Sequence, residues 1–333
     1  MPMAFVSLHK NFGLRTTNRY FGGKMKKLVL ATAILAATAA GTASAATIYD
    51  NKGLTFKVKG DFQVQLRQDV GDDQNLDVEF DDLELKNSVV YDLGNGMKAF
   101  GQLDFGYKND AEGKSSGSHL EEAYVGLDFG SASVSIGQQN YATDEFGVDA
   151  AYENKLAEDS FDNQGTSGND VIRADFNLGA VSIIATTELD AEGENSEDGE
   201  SFDLFASTEL QGVELAAAYQ TMKADVNADS VDTFGISAMA DLGMAKIGVD
   251  FSSTDDVQDQ INLVAKLGVA KGTKVAIGLN NVEPEQGDDV TEWYANVTYK
   301  FPQQKNVSVF AEIADTDEDN VDLGYLAGLR VKF

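Results

Sequence analysis

From Leu54 to the last residue, apolar side chains recur at every second position, and no other feature restricts the fold of this chain as much. Leu54, Phe56, Val58, Phe62, Val64 and Leu66 share one phase, while Thr55, Lys57, Lys59, Asp61, Gln63, Gln65 and Arg67 occupy the other. A period of two is that of a β-strand with one apolar and one polar face. The pattern returns, with its phase reset at each turn, over 83–93, 97–107, 123–129, 134–136, 172–178, 181–185, 202–206, 213–219, 234–242, 247–251, 261–267, 275–279, 293–301, 307–313 and 321–333. Sixteen strands are expected, with no helix and no second domain.

The connections alternate in kind. Those at 94–96, 130–132, 179–180, 211–212, 242–244, 270–272 and 302–306 are short, whereas those at 69–77, 109–118, 190–200, 222–231 and 315–320 are longer and acidic. Short turns on one rim and long loops on the other describe an all-β, sixteen-stranded, antiparallel up-and-down transmembrane β-barrel. Strands of about ten residues tilted by about 45° span an apolar band about 25 Å tall. Pro284 and Pro302 are expected in a loop and a turn, outside strand interiors, as ladder hydrogen bonding requires. Aromatics of the apolar phase gather at strand ends: Phe105, Tyr107, Phe202, Tyr219, Phe234, Phe251 and Trp293 at the long-loop rim, Tyr91, Phe129, Tyr299, Phe301 and Phe333 at the other. Two such girdles fit the two interfaces of a membrane. The opposite phase is polar or small throughout, too wet for the core of a soluble sandwich, and a water-filled interior accounts for it. Closure also removes the open edges that sixteen strands would expose.

The first 45 residues read differently. Met25-Lys26-Lys27 is a basic start, 28–40 a short apolar run, and Ala43-Ser44-Ala45 a small-x-small cleavage site, so 25–45 reads as a signal peptide cut between Ala45 and Ala46. Residues 1–24 read as an upstream extension, and 46–333 as one barrel. The whole chain has 25 Lys+Arg against 55 Asp+Glu. Residues 1–45 hold six of the bases and none of the acids, which leaves 19 against 55 and a net charge of −36. Such a chain repels phosphate backbones, so nucleic acid is excluded as a partner. Zero Cys and two His, His9 and His119, leave no thiolate site, disulfide framework or multi-His metal centre.

Several segments together carry a resemblance. Ile48-Tyr49-Asp50-Asn51-Lys52-Gly53-Leu54 with Val58-Lys59-Gly60 opens the chain; Glu122-Ala123-Tyr124-Val125-Gly126-Leu127, Gly130 and Gly137-Gln138-Gln139-Asn140 precede the longest connection; Val171-Ile172-Arg173-Ala174-Asp175 follows it. The end alternates Tyr325, Ala327, Leu329, Val331 and Phe333. In this order the segments resemble the general, trimeric porins of Gram-negative outer membranes. That resemblance implies a homotrimer in the outer membrane, contact with its lipid and lipopolysaccharide, and delivery by the barrel-assembly machinery to an aromatic-terminated signal, here Tyr325 and Phe333. It also implies that the third loop, about 140–170, folds inward and narrows the barrel. The loop reads Asp144-Glu145-Phe146-Gly147-Val148-Asp149 where enteric members have Pro-Glu-Phe-Gly-Gly.

The expected constriction sets the loop acids Asp144, Glu145, Asp149 and Glu153 against an inward basic arc of Lys57, Lys59, Arg67, Lys86, Lys98 and Arg173. Facing arcs of opposite charge orient dipolar solutes and tune ion entry. The reading is a water-filled channel for passive diffusion of ions and small hydrophilic solutes, weakly cation-selective, with no cofactor, no metal and no enzymatic activity. The alternatives are a substrate-specific channel and a secreted acidic β-protein. Gly113-Lys114-Ser115-Ser116-Gly117 matches G-x-S-x-G near His119, but no helix follows it to form a nucleophile elbow. Asp315, Asp317 and Asp319 have calcium-loop spacing, yet the sixth position is Asn320 and the twelfth Leu326.

Overall fold

The computed structural model describes residues 45–113, 117–152, 155–189, 200–223 and 228–333. The proposed extension, the signal peptide up to residue 44, and Lys114, Ser115 and Ser116 of the G-x-S-x-G match lie outside them. The strands among the described residues are β1 (Ala46–Asn51), β2 (Leu54–Gln68), β3 (Asp77–Gly94), β4 (Met97–Gly106), β5 (His119–Asp128), β6 (Ala132–Asn140), β7 (Ser167–Asn177), β8 (Val181–Glu188), β9 (Glu200–Leu210), β10 (Val213–Lys223), β11 (Val231–Asp241), β12 (Ala245–Thr254), β13 (Gln258–Ala270), β14 (Thr273–Pro284), β15 (Val290–Phe301), β16 (Gln304–Thr316) and β17 (Gly324–Lys332). Each strand from β2 onward pairs antiparallel with the next, and β17 pairs back onto β2. The result is a closed antiparallel barrel of sixteen staves.

The burial pattern is inverted relative to a soluble protein. Gln63, Gln220 and Asp203 are fully buried, while the mid-strand Val125 and Ile236 are about 60% exposed, at 62% and 59%. Polar side chains line the inside and apolar ones face out, an arrangement that is stable when the outer medium is hydrocarbon and the inner one water.

The sixteen expected strands form the sixteen staves, and the seam adds one short strand, β1, that the alternation does not predict. β1 pairs with Leu54–Val58 of β2, and β17 pairs with Asp61–Gln68 on the same edge. The two ends of the barrel segment therefore lie end to end along β2. Phe333 exchanges both backbone hydrogen bonds with Gly60 at 3.0 Å, and its ring occupies the space that a Cβ on Gly60 would fill. β1 and β2 are joined by the two-residue turn Lys52-Gly53, both with positive φ, the geometry that suits the twist of a hairpin.

Other departures are local. β3 begins at Asp77 rather than near Leu83, because a bulge between the Phe62–Leu83 and Val64–Phe80 pairs admits Asp81 and Asp82 and resets the alternation. Pro284 is the last residue of β14, still outside a strand interior. Two short helices, α1 (Lys108–Ala111) and α2 (Ser160–Gln164), were not expected from the sequence. The long-loop rim contains one short turn, 255–257 between β12 and β13.

Candidate pore constriction

The connection from β6 to β7, residues 141–166, lies along the inner wall from β8 to β16. It begins with a 3-10 turn over Ala142–Glu145 and carries α2 near its end. Apolar anchors hold the first arm. Phe146 and Phe161 meet edge to face, with centroids 5.0 Å apart, and pack with Ala142, Ile184, Phe205 and Ala218. Each buried ring contributes roughly 1.5–3 kcal/mol. Gly235 of β11 makes the seat: a Cβ there would come within 2.5 Å of Phe146 and 2.8 Å of Phe161. Val148 continues the contact onto Val264, Ala276, Tyr294 and Ala314, and Tyr152 stacks on Phe310 with centroids 4.4 Å apart.

Wall side chains satisfy the loop backbone. The N–H groups of Val148, Tyr152 and Ala157 donate to Asp250, Glu312 and Glu292 at 2.8, 2.8 and 2.9 Å. Asn296 donates to the carbonyl of Ala150, Gln260 to that of Glu158 and Gln220 to that of Gly165. An irregular loop enclosed by a barrel needs such partners for its polar backbone groups. Three inward acids of β12, β15 and β16 thus hold the loop.

The acids of the loop itself gather in its concavity. Asp144, Asp149, Glu158, Asp159 and Asp162 line a cavity of about 290 Å³. Asp159 caps α2, accepting from the N–H groups of Phe161 and Asp162. Burial pushes its carboxyl up to about 7, with the neighbouring Asp250 adding to the effect. Asp162 is likewise pushed up to about 7, first by burial and then by Asp159. Burial also raises Asp144, against the stabilising hydrogen bond from Asn140.

The residues expected in a single basic arc occupy several places. Lys57 is exposed and pairs across strands with Thr47 and Ser88. Lys98 joins Asp128 at 3.3 Å near the short-turn rim. Arg67 sits at the opposite rim with Asp69, 2.8 Å away, and Glu79. Arg173 lies at the root of the loop, 3.2 Å from Glu145 and 3.0 Å from Asp175. Lys59 and Lys86 remain on the wall that the loop leaves bare, opposite each other on β2 and β3. Lys86 is shared by Asp104 and Glu122. Glu153 lies outside the described residues.

Arg330 and Lys332 of β17 complete the bare basic wall. Arg330 binds Asp61 through two nitrogens at 2.8 and 2.7 Å and also contacts Asp82; Lys332 reaches Asp61 at 2.6 Å. Their inward phase is readable between Leu329, Val331 and Phe333, but the segment draws attention as a terminal signal instead. Lys155, at the far end of the loop, spans to Asp69 at 2.5 Å.

Comparison with known proteins agrees with this architecture. The family model described as Gram-negative porin matches residues 31–321. Porin-like protein H of Photobacterium profundum is 26% identical over 93% of this chain and 100% of its own length. A monosaccharide porin of a Halomonas species is 26% identical over 93% of this chain and 76% of its own. Among solved structures, OmpT of Vibrio cholerae superposes with a TM-score of 0.72 at 16% identity, covering 86% of this chain and 100% of that one. The anion-selective porin of Comamonas acidovorans gives 0.70 at 15% identity, covering 84% and 100%. A barrel with an apolar exterior, a polar lumen and a family match over most of its length places this chain in the outer membrane, as a member of the Gram-negative porin family.

Proposed function

We propose that the lumen passes ions and small hydrophilic solutes by passive diffusion, with a weak preference for cations. The charge balance of the lumen carries the reading. The cavity within the loop is lined by five acids and no base, whereas on the bare wall Lys86 and Arg330 each contact two acids and Lys332 contacts Asp61. Cations entering between these surfaces meet an excess of acids on the loop side and, opposite, a wall whose bases are held by acids. In a planar bilayer under a tenfold KCl gradient, the zero-current potential should take the sign of K⁺ preference. A potential of the opposite sign overturns the selectivity.

Glu145 and Arg173 are proposed as a pair that fixes the root of the loop, and Lys57, Lys59, Arg67 and Lys98 as lumen charges away from its concavity. A homotrimer is supported by the trimer form in which OmpT of Vibrio cholerae has been solved. Cleavage between Ala45 and Ala46 would release a chain beginning at the first residue of β1. The Phe333 seam on Gly60 suits Tyr325 and Phe333 to a strand offered to the assembly machinery, with the exposed apolar band then taken up by lipid and the acidic loops facing lipopolysaccharide. The Halomonas relative's name favours a second reading, a channel selective for monosaccharides. Liposome swelling distinguishes them: uptake graded by solute size alone supports general diffusion, and preference between sugars of equal size supports the specific channel.

A further inference from the structure

We propose that the inner wall of β3, β4 and β5 holds a site for a hard divalent cation, ligated by the carboxylates of Glu84, Asp104 and Glu121. The register brings the three together. Glu84 lies opposite Gly106 of β4, and Asp104 lies opposite both Lys86 of β3 and Glu122 of β5. The pairing of β4 with β5 then slips, passing from Asp104–Glu122 to Phe105–Leu120, so that Glu121 is an extra residue on β5. A bulge re-aims a side chain. Here it brings Glu121 to the inner face, where strict alternation after Glu122 would have sent it to lipid. Its carboxylate lies over Gly106: a Cβ at that glycine would stand 2.1 Å from Glu121 Oε1. One oxygen from each of Glu84, Asp104 and Glu121 lies within 4.8 Å of the others. One ion with ligands at about 2.3–2.6 Å, as calcium has, can reach all three oxygens at such separations.

The protein's own cations leave these oxygens short of positive charge. The Lys86 ammonium contacts Asp104 Oδ2 at 2.8 Å and Glu122 Oε2 at 2.9 Å. Asp104 is only 1% exposed, and its other oxygen, Oδ1, has no hydrogen-bond partner. Asp104 lines a cavity of about 410 Å³ together with Glu84, Glu121, Glu122 and Gln138. A buried carboxylate oxygen without a donor, beside two more carboxylates, is unfavourable until positive charge joins them. A divalent cation supplies that charge, and the cavity has room for the waters that complete its shell. An all-oxygen donor set selects calcium or magnesium over softer metals. His119, 3.3 Å from Glu121 Oε1, orients that ligand from outside. If the lumen is the ion path proposed above, the bound ion adds a fixed positive charge to the wall the loop leaves bare.

Binding is measured on the purified protein in detergent, by calorimetric titration with calcium chloride and then magnesium chloride, so the result does not depend on conduction. The expected result is a saturable calcium site, one per chain, weakened by more than about tenfold in Glu84→Gln and in Glu121→Gln. Binding should be unchanged in Asp319→Asn of the exposed loop between β16 and β17. Gly106→Ala keeps every carboxylate and should weaken binding by displacing Glu121. Heat-modifiable mobility on gels confirms that each variant forms the closed barrel. No saturable binding, or equal binding in the wild type and both glutamine variants, overturns the site. So does an infrared carboxylic-acid band that persists in saturating calcium and disappears in Glu84→Gln, because Glu84 and Glu121 would then be sharing a proton instead. Either failure leaves the channel reading standing.

Discussion

At the scale of single residues, the loop is governed by which acids are free to ionise. Asp159 and Asp162 have carboxyls pushed up to about 7, in both cases mainly by burial. Between the ordinary aspartate range and pH 7, the folded loop therefore holds protons that an unfolded chain would release. Its docking is strengthened as pH falls through that window and weakened as pH rises toward 7. The same titration changes the lumen charge, so cation preference should decline between about pH 8 and pH 6, well above the ordinary aspartate range. Zero-current potentials measured across that range test this, and Asp159→Asn, which keeps a capping oxygen, should flatten the curve. A potential that stays level until about pH 4 would contradict the assignment.

Gly235 offers a second residue-scale test. Replacing it with Val fills the seat of Phe146 and Phe161, so the loop should lift from β11 while the barrel ladder survives. Single-channel conductance should shift and protease should cut within 141–166; unchanged conductance and protection would show that the seat is not needed. The sequence reading could find Asp144, Glu145 and Asp149, because charge in a long loop is visible without coordinates. It could not find the wall acids that hold the loop backbone. Asp250, Glu292 and Glu312 look like ordinary inward acids, and their hydrogen bonds to loop N–H groups span more than a hundred residues of chain.

At the scale of elements, alternation carried the reading wherever a strand was regular and failed where one residue was inserted. The bulge at Asp81 and Asp82 hid the start of β3, and the one at Glu121 hid an inward carboxylate. β1 was missed for a different reason: its six residues are exposed and lack a clear apolar phase, and it is held by the edge of β2 next to β17. Where alternation is regular it predicts the energetics as well. Ile136 on β6 is 56% exposed on the outer face. Ile136→Arg should cost about 2–4 kcal/mol if that position lies near the bilayer midplane. Refolding titrations into lipid vesicles measure this, and a cost near zero would place the position outside the hydrocarbon.

At the scale of the whole molecule, net charge and fold explain each other. A chain with 55 acids against 25 bases cannot put them on a lipid-facing surface, and a soluble core has no place for them. The barrel places them at the mouths, along the lumen and in the inward loop. The number of staves and the outer face were legible because they repeat along the chain. The path of the loop was not, because it depends on contacts between a non-repeating segment and nine different strands.

The central claim is that the polar phase faces water inside the barrel while the apolar phase faces lipid. Because the native chain has no cysteine, single cysteines report directly on that claim. Ser88 pairs with Lys57 and Gln102 in the inward phase, and Ile236 belongs to the outward one. With the protein in a planar bilayer, a charged, membrane-impermeant thiol reagent should step down the single-channel conductance of Ser88→Cys and leave Ile236→Cys unmodified. Labelling of Ile236→Cys with no effect at Ser88→Cys would contradict the account.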